Sequence, residues 1–387
     1  MRVQLIQLAF ALHDLAHRAR ARVVLRHYGA VTRDQTIDIA KAIAIVAIVF
    51  GHVWRGLFSA GLIADQRLFE LVDTTVYMWH LTVFAFCAGL FVERGMRRAG
   101  AWRYARDRDL DFLWLYLLWS LVQGSVKLLT ASLVNSPTSV SKVLELWIPD
   151  AQMWFFGWIA LMLVLAAAVQ PWRSRLRMIA SLLAAAAVSA ALWGLGGTLL
   201  FTQGLGLSVY FWVALVLRGD RLTSLTTKVS WASAAVVWAI AALSATVISL
   251  TGVATPPTVA GEDRSTVSVA LGFIASTLGL VAVLAISRVL ARTVVSGALA
   301  FVGRQTMAVF LVHIMFASGT RIALERVGID DVVLQVVLGT LAGVCGSIAV
   351  GLAAAKLRAG WLFAAPGWLV RPRAVATGAA TERNEGR

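Results

Sequence analysis

The residues in this chain best suited to chemistry are Lys41 and His52, which both lie in the first long apolar run. His52 is eleven positions after Lys41, so on an α-helix the two side chains project from one face, about 16 Å apart along the axis. Asp38, three positions before Lys41, can pair with it. The alternatives are that Lys41 extends to the lipid headgroups and that His52 makes an interhelical hydrogen bond. Ionisable groups within apolar spans are costly, and the shared face favours a functional cavity.

Two further histidines, His80 and His313, also lie inside apolar runs. No two of these histidines are spaced i,i+3 or i,i+4, and no cysteine or carboxylate adjoins them, so the pattern gives little support for a metal site. A neutral imidazole can instead act as a general base near physiological pH. We therefore expect acid–base chemistry and no bound metal.

An arginine-rich segment follows the second apolar run. Arg103 and Arg106 lie one helical turn apart there, where their guanidinium groups can bind phosphates. Arginines in such a segment also set the orientation of membrane spans. The sequence has no Gly-rich P-loop, which argues against an ATP-driven pump.

The composition predicts an integral membrane protein. Hydrophobic residues make up 59% of the 387 positions and charged residues only 14%, and the mean hydropathy is +0.78. A soluble domain of this length needs more charge to cover its surface. The net charge of +15 does not indicate a nucleic-acid-binding protein, because the basic residues form short clusters between apolar runs.

The sequence predicts an all-α fold, a polytopic membrane bundle of about ten transmembrane helices. A hydrocarbon core of about 30 Å needs about 20 apolar residues in a helix. The ten predicted spans are 36–58, 71–92, 110–131, 153–170, 176–193, 197–217, 229–251, 266–287, 304–323 and 332–356.

The distribution of Lys and Arg predicts the orientation of these spans. Basic residues concentrate in both termini and in the loops after spans 2, 4, 6 and 8, which places both termini in the cytoplasm. We expect a multi-pass protein of the cytoplasmic (inner) membrane. Residues 1–30 are predicted to form a basic amphipathic segment on its surface, 31–357 the transmembrane domain, and 358–387 a polar, disordered cytoplasmic tail. The loop 132–152 is either a connector or a short helix lining an external site.

Several motifs in order resemble one family. They are Lys41 and His52 with ten residues between them, Trp79-His80-Leu81-Thr82-Val83-Phe84, Arg103-Tyr-Ala-Arg106, Met153-Trp154-Phe155-Phe156, and Gly303-Arg304 through His313. The chain resembles the acyltransferase-3 family of integral membrane acyltransferases, in particular its fucose O-acetyltransferase-like branch. It departs from the family pattern at Lys41, where many members have Arg, and at Thr82, where Pro is expected.

The resemblance implies transfer of an acyl group, usually acetyl, from acyl-CoA to a hydroxyl of an envelope carbohydrate or lipid-linked sugar. It implies no permanently bound cofactor, because acetyl-CoA is a co-substrate, and no nucleic acid. The implied catalytic residues are His52, as general base or acyl carrier, Lys41 and His313. The implied donor- or substrate-binding residues are Asp38, His80, Arg103, Arg106 and Arg304.

Two other functions remain open on the sequence. A secondary transporter or flippase for a sugar or glycolipid is also built from about ten helices with polar residues near the midplane. Its usual signs are internal repeats and paired broken helices, and the sequence shows neither. A membrane scaffold or sensor, with the histidines as interhelical contacts, is the third possibility.

Overall fold

The computed structural model describes residues 35–131, 138–196, 202–259 and 264–370, and within these ranges the chain is helical and has no β-strand. Four 3-10 helices also occur in these ranges: Ala151–Met153, Pro171–Arg173, Thr202–Leu207 and Gly360–Leu362. The α-helices are α1 (Thr36–Ser59), α2 (Gln66–Tyr77), α3 (His80–Gly89), α4 (Val92–Ala99), α5 (Ala101–Leu129), α6 (Val140–Leu144), α7 (Trp154–Val169), α8 (Arg175–Leu192), α9 (Ser208–Leu217), α10 (Gly219–Thr226), α11 (Trp231–Thr251), α12 (Thr266–Leu290), α13 (Ser296–Arg304), α14 (Thr306–Arg326) and α15 (Val332–Lys356).

The predicted all-α membrane fold is confirmed. In the described ranges, nine helical segments are long and apolar enough to cross a bilayer, and each coincides with one of the ten predicted spans. The exception is the predicted span 197–217. Its first residues, 197–201, lie outside the described ranges, and the rest forms a 3-10 turn and α9, which together run from Thr202 to Leu217.

Helix α1 lies at the centre of the bundle and packs against α3, α12, α13, α14 and α15. Small side chains make this possible, because Ala40 and Ala44 are completely buried and let neighbouring helices approach closely. On α13, a Cβ at Gly303 would collide with the backbone carbonyl of Asp38. The helix that carries Lys41 and His52 is therefore surrounded by protein for most of its length.

The second predicted span is broken at Met78 and Trp79, immediately before His80. Ser276 of α12 donates a hydrogen bond to the carbonyl of Met78, and the Nδ1 of His80 donates to the carbonyl of Val76 at 2.6 Å. A break at membrane depth is tolerated where surrounding protein satisfies the freed backbone groups. The polar side chains of Ser276 and His80 do so here.

The ninth predicted span also departs from expectation. The residue range 304–323 is not one helix, because α13 ends at Arg304 and α14 begins at Thr306. The amide of Gln305 bonds back to the carbonyls of Phe301 and Val302, which closes α13 before the chain turns into α14. Arg304 therefore ends a short helix that packs on α1, and does not begin a span.

The first residues of the predicted tail pack against the helix bundle. The indole N–H groups of Trp114 and Trp119 on α5 donate to the carbonyls of Trp361 (2.7 Å) and Leu362 (2.6 Å). The amide of Ala365 donates to Asp111 at 3.2 Å. Residues 358–370 thus pack against α5, contrary to the expected disorder, because aromatic and backbone groups there find partners. The segments 1–30 and 371–387 lie outside the described residues.

Candidate active site

A cavity of about 310 Å³ opens between the C-terminal halves of α1, α5 and α14. The polar side chains that line it are His52, Arg55, Ser59, Gln123, Lys127, Thr130, Ser318 and Arg321. All three helices run in the same direction and end here, so the cavity lies at one end of the bundle. Its size is in the range of small-molecule sites.

The three cations of this lining are each paired with a carboxylate. Arg55 donates two hydrogen bonds to Asp73, at 2.6 and 2.7 Å, Lys127 pairs with Asp150, and Arg321 pairs with Glu325 at 2.9 Å. The pairing fixes the cations and removes most of the net charge. The cavity therefore presents oriented hydrogen-bond donors, and the net charge of these ion pairs is small, which suits a hydroxyl-rich ligand.

His52 of α1 meets His313 of α14 at the wall of this cavity, which we call the histidine cavity, with 5.1 Å between their ring centroids and an angle of 53° between the planes. His313 is completely buried. Its Nδ1 lies 2.8 Å from the carbonyl of Val309 and 3.1 Å from that of Phe310. Since carbonyls only accept, Nδ1 carries the hydrogen and Nε2 keeps its lone pair.

The Nε2 of His313 is buried and has no hydrogen-bond partner among the described residues. An unsatisfied buried acceptor is costly, and such atoms are retained where a function uses them. Here the lone pair lies on the ring that contacts His52. The pair is therefore arranged so that one imidazole faces the cavity and the other supports it.

Two glutamines fix the backbone around His313. Gln123 of α5 donates to the carbonyl of Leu311 at 2.8 Å, and Gln152 donates to that of Phe310 at 3.1 Å. Both are buried. The turn of α14 that carries the histidine is thus held from two neighbouring elements.

His80 lies at the break of the second span and is fully enclosed. Its ring contacts that of Tyr77 edge-on, with centroids 4.6 Å apart, and the guanidinium of Arg55 lies 3.5 Å from the centre of the same tyrosine ring. Tyr77 therefore connects His80 to a residue of the cavity wall. His80 itself is not part of the lining of the histidine cavity.

Lys41 lies on α1 about 16 Å from His52 along the axis, away from the histidine cavity. Its ammonium group is 2.8 Å from Asp38, whose side chain is almost fully buried. The predicted i,i+3 ion pair between them is confirmed. The pair lies where α13 packs on α1.

The family model for acyltransferase-3 proteins, described as an acyltransferase domain, matches residues 34–353. The chain belongs to the acyltransferase-3 family. The matched range contains both histidines of the cavity and the Lys41–Asp38 pair. The resemblance of the sequence motifs to this family is thereby confirmed.

A comparison with individual proteins gives one distant match. Over 120 residues the acyltransferase-3 chain is 26% identical to nodulation protein NolL of Mesorhizobium japonicum. The match covers 29% of this chain and 32% of that protein, so the chain spans about a third of the relative's length. No solved structure matches the chain.

The arginines predicted from the acyltransferase-3 motifs lie apart from both histidines. Arg103 and Arg106 are exposed at the start of α5, where Arg106 is 3.0 Å and Arg103 3.9 Å from Asp107. Arg304 is exposed at the end of α13. None of the three lines the histidine cavity, and their assignment to donor phosphates stays a prediction.

Several residues of this site escape sequence reasoning. Gln123, Gln152 and Arg321 give no local signal, since a single polar residue near a span end is common. Lys127, near the end of the third predicted span, lines the cavity and pairs with Asp150. Only the side of the helix on which each lies distinguishes these residues, and that depends on how the helices pack.

Proposed function

We propose that this chain transfers an acyl group, most simply acetyl, from acyl-CoA to a hydroxyl of a cell-envelope carbohydrate or lipid-linked sugar. Membership of the acyltransferase-3 family supports the reaction class. The observation that carries the proposal is the contact of His52 with His313 in the wall of a cavity lined by hydrogen-bond donors.

His52 is the general base in this proposal because it lines the cavity, whereas His313 is buried behind it. It takes the proton from the acceptor hydroxyl as the oxygen attacks the thioester carbonyl. The tetrahedral intermediate then expels the thiolate, which receives the proton back from the imidazolium. The products are an ester and a free thiol, so atoms and charges balance.

His313 orients and stabilises the base. When His52 is protonated, both of its nitrogens carry hydrogen, and the lone pair on the Nε2 of His313 accepts one of these N–H groups after a small movement. Nδ1 of His313 is already committed to backbone carbonyls, which fixes the tautomer this role requires. A similar division between base and orienting group operates in other acyl-transfer sites.

The acceptor binds in the cavity through the paired cations. Arg55, Lys127 and Arg321 present N–H donors that their carboxylate partners hold in place. Sugar hydroxyls accept such hydrogen bonds, and the side-chain oxygens of Ser59, Thr130 and Ser318 in the same lining can accept from the hydroxyl hydrogens. The absence of a large net charge in the lining favours a neutral acceptor over an anionic one.

The donor approaches from the opposite end of α1 in this proposal. The distribution of basic residues in the sequence favours cytoplasmic termini, which puts Lys41 near the cytoplasm and the histidine cavity towards the outer face. Acyl-CoA is cytoplasmic, so its thioester must reach along α1 towards His52. Lys41 then neutralises negative charge of the donor, with Asp38 holding its ammonium group.

The proposal is tested with purified protein in liposomes, using labelled acetyl-CoA and a panel of glycans and lipid-linked sugars. We expect ester formation by the wild type. The kcat of the His52→Ala variant should fall by a factor of about 10²–10⁴, which is the usual contribution of general-base catalysis. His313→Ala should lose less, about ten- to a hundredfold.

Ser59→Ala is the control, because Ser59 lines the same cavity but has no proton-transfer role in the proposal. Thermal unfolding of all variants shows whether they fold. A folded His52→Ala variant with wild-type transfer would overturn the mechanism.

The breaks in the second and ninth spans are also a feature of transporters, so acceptor flux is measured in the same liposomes. Flux of the acceptor without acyl transfer would show that the chain is a transporter and not an acyltransferase.

A further inference from the structure

A buried carboxylate holds two arginines at the other end of the bundle. The side chain of Glu93, at the start of α4, is only 4% exposed. Its two oxygens bind the Nε atoms of Arg97 at 2.5 Å and Arg218 at 3.1 Å. Arg218 also pairs with the exposed side chain of Asp220, to which one of its terminal nitrogens donates at 3.3 Å. Glu93 thus fixes Arg97 through Nε, and terminal N–H groups of the two arginines remain for another partner.

Two cavities meet at this cluster. One of about 310 Å³ is lined by Glu93 and by four arginines, Arg97, Arg175, Arg218 and Arg221. The other, of about 450 Å³, shares Glu93, Arg97 and Arg218 with it. Four arginines and Glu93 line the first cavity, and Asp220, which lines the second, adds one more carboxylate beside Arg218. Four positive charges thus face two negative charges, whereas each cation of the histidine cavity has its own carboxylate. Such an excess of positive charge in a concave site calls for an anion.

The backbone of Arg218 is strained to reach this position. Its φ is +66° and its ψ is 150°, a region that is essentially restricted to glycine and is strained for other residues. The following amide, of Gly219, donates to the carbonyl of Leu90 at 3.2 Å and fixes the turn. Gly219 itself would tolerate this conformation, yet the strained residue is the arginine. Strain of this kind concentrates at binding sites.

The cluster lies at the end of the bundle where α1 begins. Arg55 of α1 binds Asp73 and Gly51 faces Tyr77, so α1 and the second span run antiparallel. The chain after α3 therefore reaches the end occupied by Lys41, and Glu93 lies there. This is the end from which the proposed donor enters.

We propose that the cavities around Glu93, Arg97 and Arg218 form a binding site for phosphate groups, with Arg175 and Arg221 completing the cradle. Guanidinium groups bind phosphate oxygens through paired N–H donors. Trp172 lines the first cavity and lies 5.9 Å from the guanidinium of Arg97, so an aromatic surface adjoins the cations. The phosphates belong either to the CoA moiety of the donor or to the headgroup of an anionic phospholipid, and only the first source rests on the proposed function.

Arginines near the ends of spans also set membrane orientation, and that role alone requires neither a buried carboxylate nor a strained backbone. Not every basic residue at this end of the bundle lines the two cavities. Lys228, after α10, is exposed and lines neither cavity. Arg173, two residues before Arg175, is as exposed as Arg175 and Arg221 but also lines neither cavity. It provides the matched control.

The test uses the full chain in phosphatidylcholine nanodiscs and measures binding of coenzyme A and of 3′-dephospho-coenzyme A by calorimetry. The Arg175→Gln/Arg221→Gln double variant leaves the Glu93 contacts intact, so it is expected to fold. We expect it to bind coenzyme A about 10–100-fold more weakly, and to bind the dephospho form with a smaller loss. The Arg173→Gln/Lys228→Gln variant removes the same charge and should stay within about twofold of the wild type.

A parallel arm measures retention of phosphatidylglycerol by native mass spectrometry. Loss of that lipid in the Arg175→Gln/Arg221→Gln variant alone, with coenzyme A binding unchanged, assigns the site to a phospholipid headgroup. Equal behaviour of both double variants in both arms overturns the proposal. If the wild type binds coenzyme A through these arginines but transfers no acyl group, the phosphate site stands and the proposed function fails.

Discussion

Gln152 and His313 share one hydrogen-bond acceptor, the backbone carbonyl of Phe310, each with a nitrogen at 3.1 Å. Gln152 lies in the 3-10 helix before α7, whereas His313 lies on α14. The glutamine therefore fixes the carbonyl that orients the histidine ring. The position of the imidazole pair depends in this way on a residue from a distant part of the chain.

Replacing Gln152 by Leu should lower kcat about tenfold and leave the acceptor KM nearly unchanged. The substitution removes the hydrogen bond to Phe310 and keeps a side chain of similar size, so the carbonyl and the His313 ring can shift while the cavity keeps its lining. Loss of one interhelical hydrogen bond in a membrane protein costs about 0.6 kcal/mol on average, so stability changes little. Steady-state kinetics in liposomes and thermal unfolding measure the two effects.

Gln335→Leu is the matched control. Gln335 is also buried, donates to a backbone carbonyl (Ile329, 2.8 Å), and has an unpartnered side-chain oxygen, as Gln152 has. It lies outside the histidine cavity. Equal losses of kcat in both variants would show that Gln152 acts only through stability.

Gly303→Ala should destabilise the protein by about 1–3 kcal/mol, the usual range for overpacking. The added Cβ would collide with the backbone carbonyl of Asp38, so α13 must move away from α1. The Lys41–Asp38 pair lies at this contact, and transfer activity should fall as well. Chemical unfolding in detergent measures the change.

Gly297→Ala, on the same helix, is the comparison for that variant. A Cβ at Gly297 meets nothing within 4 Å, and the replacement of glycine by alanine within a helix stabilises by about 0.5–1 kcal/mol. The two variants should thus change the free energy of unfolding in opposite directions. A neutral Gly303→Ala variant would contradict the close packing of α13 on α1.

Arg55 and Asp73 should show a coupling free energy of about 1–2 kcal/mol in a double-mutant cycle built from Arg55→Gln and Asp73→Asn. Their two-point hydrogen bond is partly buried, and the guanidinium also lies over Tyr77. The same cycle on Arg103 and Asp107, which are 3.9 Å apart and more exposed, should give less than about 0.5 kcal/mol. A coupling near zero for the first pair would mean that it does not hold α1 against α2.

Truncation after Leu357 should lower the unfolding temperature more than truncation after Val370. The shorter chain loses the carbonyls of Trp361 and Leu362, which accept hydrogen bonds from Trp114 and Trp119. Trp119→Phe should reproduce part of the loss, about 1 kcal/mol, because it removes one donor and keeps most of the ring. Equal stability of the two truncated chains would argue that the packing against α5 contributes nothing.

The sequence by itself determined that the chain is a helical membrane protein and placed nine of its spans. Hydropathy summed over about twenty residues is a property of the segment, and it is independent of what the segment touches. The i,i+3 pair of Asp38 and Lys41 was predictable for the same reason, since both residues lie on one helix. The family also followed from the sequence, because its motifs occur in order along the chain.

Only the tertiary structure decided which of the buried polar groups meet. That His313, and not His80, contacts His52 depends on the rotation of α14 against α1. The break before His80 contains neither Gly nor Pro, and part of what satisfies it comes from Ser276 on another helix. The two arginines at Glu93 come from α4 and from the turn after α9. Contacts of this kind arise from packing between helices that are far apart in sequence, and no local pattern of residues encodes them.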